Sequence, residues 1–337
     1  MSIALRTTPD ARQVLSRCRE LVRPRLREAV GRLHPWVGEM AAYSLGWCEV
    51  GGAPADASGG KGVRQALAVL GAEAVGADGR AGVPGAVAAE LLHVFSLTHD
   101  DIMDGDRSRR GRPTAWEAYG TGPALLSGDA LFALAVETLA DTAQGPSAVR
   151  LLARTMGDLV HGQADDLQFA GRPWSGPGQV RPEEYRAMVE RKTGALLGGS
   201  LALGALLGGA PSAVAATLDR AGRHLGVAFQ IVDDVLGIWG DPDVTGKAVH
   251  ADLRERKKTL PVLLALRTAP LAGLLESGAR PEEVAARVEE AGGRSGALAE
   301  AHHQIATANT LLTELPLKPA PLDELRTLLQ FLTTRDM

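Results

Sequence analysis

The chain is poor in aromatic residues, at 4% of its 337 positions, and it has only two cysteines, Cys18 and Cys48. Two thiols without metal-ligand spacing cannot build a disulfide framework, so a cross-linked secreted scaffold is excluded and a reducing cytoplasm is expected. Runs of alternating Val, Ile or Thr are missing, which removes the main signal for half-buried strands. A basic excess is missing too. The formal charge of -4 and pI near 6.1 speak against nucleic acid or an anionic membrane as the main partner, since both demand a broad basic surface. The opening MSIALRTTPDARQ carries charge where an export signal needs an apolar stretch, so no secretory signal is expected. One stretch without charge, Thr193 to Leu218, is long enough to cross a bilayer. It contains six glycines between Gly194 and Gly209, then Pro211, and reads better as a buried helix whose small residues admit close neighbours. No integral membrane segment is therefore expected.

What is present is helical. Hydrophobic residues make up 45% of the chain, enough for a sizeable core, and Ala, Leu, Glu and Arg recur at helical spacing. The pattern predicts helices over 10–31, 62–76, 84–104, 123–140, 147–170, 182–206, 211–239 and 281–292. Breaks fall in the Gly, Pro and Ser clusters at 51–60, 171–182, 208–212, 240–246 and 316–321, none long enough for an interdomain linker. The expected architecture is all-α, a single domain spanning 1–337.

Two acidic clusters interrupt apolar helical stretches. In LLHVFSLTHDDIMDGDRSRRGRPTAW, Asp100 and Asp104 stand one helical turn apart with Asp101 beside them. Like charges so crowded repel unless a cation neutralises them, and hard carboxylate oxygens suit Mg²⁺. In FQIVDDVLGIWGDPDVTGK, Gln230, Asp233 and Asp234 share one face of a helix flanked by Ile231, Val232 and Val235, where unpaired charge is expensive. A solvated acidic helix end would explain the first cluster alone; two such clusters are better explained by a metal site. Cations accompany them: Lys61 and Arg64 beside Gly59 and Gly60 in SGGKGVR, Arg109 and Arg110 after the first cluster, Lys192 in ERKTG, and Lys247 and Lys257 after the second. Each alone reads as solvated surface.

Taken in order, GGKGVR, LTHDDIMDGDRSRRGRPT, RKTG, FQIVDD and the two downstream lysines resemble the motifs of the trans-isoprenyl diphosphate synthase (polyprenyl synthetase) family, most specifically over residues 55–265. The resemblance implies a bundle of antiparallel helices around a central cavity, assembled as a homodimer. It implies that Asp100, Asp104 and Asp233 ligate three Mg²⁺ ions with Asp101 and Asp234 in support. By the same resemblance Gly60, Lys61, Arg64, His93 and Arg110 hold isopentenyl diphosphate, while Arg109, Lys192, Thr193, Gln230, Lys247 and Lys257 surround an allylic diphosphate. The expected reaction joins the two substrates after diphosphate departs from the allylic carbon. Phe95, five residues before the first motif, and Ser96 are the expected limits on product length; the pattern resembles short-chain geranylgeranyl diphosphate synthases, with farnesyl diphosphate synthase as the alternative. A class I terpene cyclase would share the metal motifs but needs no isopentenyl diphosphate pocket, and a silent regulatory subunit would not need intact carboxylates. Two departures from the family pattern stand out: Gly237 where a third aspartate is usual, and Gln65 where proline commonly follows the arginine.

Overall fold

Helices account for nearly all regular structure in the computed structural model, which describes residues 10–55, 60–242 and 248–333. In chain order they are α1 (Ala11–Val30), α2 (Pro35–Ser44), α3 (Val63–Ala74), α4 (Val83–Asp104), α5 (Ala115–Tyr119), α6 (Thr121–Ala140), α7 (Gly145–Ala170), α8 (Pro182–Val189), α9 (Ala195–Leu207) and α10 (Ser212–Trp239). Helices Ala251–Arg254, Leu260–Thr268, Ala272–Glu276, Pro281–Glu290, Gly293–Thr313 and Pro319–Thr333 follow. The one hairpin among the described residues pairs Ser108–Arg109 with Arg112–Pro113. The all-α expectation holds, and the long helices match the sequence reading to within a few residues. The predicted helix over 182–206 is less regular than expected, because α8 passes into a π-helical turn, Glu190–Gly194, before α9. Several helices went unpredicted, among them α2, Leu260–Thr268, Gly293–Thr313 and Pro319–Thr333; for Gly293–Thr313 the reason is physical, since it buries mainly small residues, Ala297, Ala301 and Ala308, which leave little hydrophobic periodicity.

The chain forms two compact units. The first comprises residues 1–154, 199–219 and 315–327, and the second 155–198, 220–314 and 328–337. In the first, α4 packs against α6, α3 and α1, and α2 against α6, around Met40, Leu67, Leu70, Leu91, Leu92 and Leu131. Here α9 lies backbone to backbone on α3: a Cβ at Gly204 would collide with the Ala68 carbonyl, so only glycine permits the approach. In the second unit Phe169, Tyr185, Val189, Ile231, Val235, Leu260 and Leu263 form one core cluster, and Trp174, Ile238, Val262, Val284 and Val288 another.

The uncharged stretch Thr193 to Leu218 is interrupted, since α9 ends at Leu207 and α10 begins at Ser212. Its apolar residues Leu196, Leu197, Leu201 and Leu203 are buried, as expected of a core helix. Among the described residues, two other segments are long and apolar enough to cross a membrane by length and composition. Gly79–Asp104 is 78% buried over its most apolar window and Thr121–Ala140 only 44%, so α6 keeps an exposed apolar face.

Candidate functional site

In the first unit, α4 ends at Asp104 because Gly105 takes a left-handed conformation (φ 70°) and returns its N–H to the Asp101 carbonyl. That stop leaves Asp100 half-buried and Asp104 exposed on the last turn, while Asp101 turns inward and is only 5% exposed. Asp101 is met by Arg109, whose Nε donates to Oδ1 at 2.7 Å and whose Nη2 lies 2.6 Å from the same oxygen. Burial pushes the Asp101 carboxyl above its ordinary range and the Arg109 guanidinium pulls it back. The hairpin delivers this arginine. Its loop residues Arg110 and Gly111 both have positive φ, 54° and 76°, as a two-residue turn matching strand twist requires. Arginine rarely adopts that conformation, and such strain gathers at functional sites. Arg112 anchors the hairpin by donating to the Cys48 carbonyl at 2.7 Å and stacking 4.3 Å from the Tyr43 ring centre.

A second cluster in the same unit gathers cations. The Arg110 guanidinium lies against Gly60, where a Cβ would sit 3.1 Å from its nitrogen. Arg19 donates to the Lys61 carbonyl at 3.0 Å, fixing the loop, and α3 starts at Val63 after Gly62 (φ 72°) with no side chain capping its N-terminus. Uncapped N–H groups at a helix start favour an anion. Arg64 Nη1 donates to His93 Nε2 at 3.1 Å; since arginine cannot accept, the imidazole is neutral and protonated on Nδ1. Burial, then the charges of Arg64, Arg110 and Arg109, holds His93 well below its ordinary pKa. Burial also lowers Arg64 to about 10, opposed by Glu90. Glu90, one turn before His93 and 8% exposed, is a counter-charge that the motif reading missed, as it missed Arg19. A lone charge within VPGAVAAELL was the available signal. Phe95 is buried, 4.5 Å from the His99 ring and 5.8 Å from Phe132 of α6, while Ser96 is buried and donates to the His93 carbonyl at 2.9 Å.

In the second unit, Lys192 and Thr193 sit on the π-helical turn, an irregularity frequent at functional sites. Gly162 of α7 admits it, since a Cβ there would strike the Lys192 backbone. Lys192 Nζ donates to Asp166 at 2.6 Å, and Thr193 Oγ1 to Gln230 Oε1 at 3.1 Å. Gln230 Nε2 donates in turn to Asp234 Oδ1 at 3.2 Å. Asp234 Oδ2 accepts from the Tyr185 hydroxyl and from the Leu260 N–H at 3.1 Å. Burial pushes Asp234 up to about 7 despite these donors, with Asp252 adding to the rise. Asp233, its neighbour, stays half-buried. Lys257 is exposed and paired with Glu255 at 2.7 Å, and Lys247 lies outside the described residues.

The structure gives Gly237 a reason. A Cβ there would run into the Asp252 carboxylate, so a buried acid from the helix Ala251–Arg254 fills the space of the absent side chain. Tyr185, Asp166 and Asp252 were invisible to motif reading because their roles arise from tertiary contact alone. Among the described residues no group of three His, Cys, Asp or Glu side chains forms a ready metal cage. The carboxylates Asp100 and Asp104 nonetheless fit Mg²⁺, which takes few protein oxygens and retains water and phosphate ligands.

Comparison with known proteins agrees with this geometry. Residues 55–291 match the polyprenyl synthetase family model. The chain is 41% identical to (2E,6E)-farnesyl diphosphate synthase of Mycobacterium tuberculosis over 98% of its own length and 95% of that protein's. It is 45% identical to geranylgeranyl diphosphate synthase of the same organism over 75% of this chain and 72% of the other. The crystal structure of polyprenyl synthetase from Streptomyces coelicolor A3(2) superposes with a TM-score of 0.89 at 45% identity, covering 96% of this chain and 99% of that one. Motif order, all-helical architecture and full-length similarity agree, and the chain belongs to the polyprenyl synthetase family, a family of prenyltransferases.

Proposed function

We propose that the protein condenses isopentenyl diphosphate with an allylic diphosphate to give mainly a C20 product. The observation that carries the two-substrate reading lies within the first unit: beside the carboxylates Asp100 and Asp104 there is a separate cluster of two arginines, Arg64 and Arg110, with neutral His93 and the backbone of Gly60 against them. A cyclase acting on one diphosphate has no use for it. Asp100, Asp104 and Asp233 would hold Mg²⁺, which when bound supplies positive charge against the departing diphosphate. Lys192, Thr193, Gln230, Lys247 and Lys257 would hold the allylic diphosphate, with Arg109 holding Asp101 in place as well. Neutral His93 and Arg64 would bind and orient isopentenyl diphosphate within the first unit.

The C20 reading rests on Phe95, closing against Phe132 before the first motif. A C15 product is the second reading, favoured by similarity along nearly the whole chain to a farnesyl diphosphate synthase. Chromatography of products from C5, C10 and C15 primers separates the two. Phe95→Ala is expected to shift products to C25 or longer, and an unchanged distribution would remove Phe95 as the floor.

A homodimer is supported by exposed apolar faces, Leu125 and Leu126 on α6 and Val160 and Leu167 on α7; a solution mass near twice 35.3 kDa is the expected measurement. Cys18 and Cys48, both free and buried, support a reducing cytoplasm, which cell fractionation tests. Four of the five borders between units fall inside helices, α7, α9, α10 and Pro319–Thr333, which supports one domain over 1–337; limited proteolysis that releases no stable fragment is expected.

A further inference from the structure

Tyr185 belongs to none of the motifs, yet its hydroxyl is buried on Asp234, and the residue is 3% exposed. Packing does not explain the hydroxyl. Tyr185 belongs to an apolar core cluster with Val189, Ile231 and Val232, which a phenylalanine would suit equally well. A buried phenol needs a partner, and it has taken the carboxylate beside Asp233.

Both oxygens of Asp234 are spoken for by donors from three elements. Tyr185 comes from α8, Gln230 from the preceding turn of α10, and the Leu260 N–H from the start of the helix Leu260–Thr268. Asp252, packed where a side chain at 237 would lie, adds a like charge on another side, so Asp234 keeps its place only while its donors hold it. Adjacent helical residues are about 100° apart around the axis, so locking Asp234 sets the direction of Asp233. Through Gln230 the same lock reaches the Thr193 hydroxyl, and through Leu260 it holds the helix that follows Lys257.

We propose that Tyr185 is a positioning residue for prenyl transfer: through Asp234 it aims Asp233 at the metal-diphosphate group and ties it to Thr193. This rests on the prenyltransferase reading above. The decisive variant is Tyr185→Phe, which deletes one oxygen and keeps the ring. Turnover is expected to fall about tenfold or more and the Mg²⁺ concentration for half-maximal rate to rise by a similar factor, as when a group supporting a metal ligand is lost. The KM for isopentenyl diphosphate, whose candidate cations lie in the first unit, should not change. Calorimetric titration of Mg²⁺ into the enzyme with inorganic diphosphate should show the same weakening without turnover. Adding Asp234→Asn to Tyr185→Phe should cost less than the two single losses combined, since Tyr185 acts through that carboxylate. Wild-type turnover and Mg²⁺ affinity in a folded Tyr185→Phe variant would overturn the proposal, even if its melting temperature fell. Should that variant not fold, Asp234→Asn alone must reproduce the Mg²⁺ shift, and an unshifted titration overturns the proposal equally. A wild-type enzyme that elongates no allylic primer would instead refute the prenyltransferase reading, so the two failures are distinguishable.

Discussion

The two acidic motifs, DDIMD and DDVLG, look alike in sequence and are held in opposite ways. In each doublet the second aspartate is buried, Asp101 at 5% exposure and Asp234 at 4%, while Asp100 and Asp233 remain partly exposed. Helical rotation explains this symmetry: if one of two adjacent carboxylates faces out, the other turns inward and must be neutralised. The means differ. Asp101 lies near the end of α4, where a hairpin arginine reaches it with its own head still 37% exposed. Asp234 lies within the core portion of α10, where a charged partner would itself have to be desolvated, and it is held by a phenol, an amide and a backbone N–H instead. One carboxylate is held by charge, the other by neutral donors.

The sharpest way to break the comparison is to remove each outward aspartate. Asp100→Ala and Asp233→Ala are each expected to lower turnover by about two to three orders of magnitude, the usual loss for one electrostatic group at a transition state. Asp101→Asn should cost less, about one to two orders, because it acts through neighbours. Steady-state turnover at saturating Mg²⁺ measures both. If Asp101→Asn proves as damaging as Asp100→Ala, the division into outward ligand and inward support fails for the first motif.

A smaller effect should separate the cations. Lys61→Ala is expected to raise the KM for isopentenyl diphosphate by about tenfold to a hundredfold, the worth of one charge-assisted hydrogen bond, and to change the primer's KM little. Lys192→Ala, which leaves Asp166 without its 2.6 Å partner, should do the reverse. Initial-rate kinetics with each substrate varied decides it, and the opposite ranking would exchange the two half-sites.

Much of this was legible in the chain. Helices with broad apolar stripes, such as α4 and α10, announced themselves, and both doublets could be read from their spacing. The supports could not. Arg109 is eight residues from Asp101, but its direction depends on a strained two-residue turn at Arg110 and Gly111, and the motif RSRRGRPT names these residues without showing their backbone geometry. Tyr185 and Asp252 lie 49 and 18 positions from Asp234, and Asp166 lies 26 from Lys192, separations at which only the packing of helices decides who meets whom. Gly237 is the instructive case: a missing carboxylate in sequence is a filled space in the structure.

The smallest expected effect concerns the anchor of α8, the helix that carries Tyr185. Glu184 accepts from the Arg181 backbone N–H at 2.9 Å and from Arg172 Nη1 at 2.9 Å, closing the first turn of the helix. These contacts, the Arg172 side chain first, hold its carboxyl down to about 2 from the ordinary 4.5. A carboxyl whose folded pKa is depressed contributes stability that is fully present above the unfolded value and is lost as pH falls through the folded one. The contribution should therefore be complete above about pH 4.5 and gone near pH 2. Glu184→Gln removes it at every pH, so wild type and variant should differ in melting temperature by about a degree or two at pH 6 and converge as the solution is acidified toward pH 2. Thermal melts across that range provide the measurement. A constant gap would mean that Glu184 acts by shape alone, whereas convergence places a charge-held contact in the second unit and confines the neutral-donor pattern to Asp234 itself.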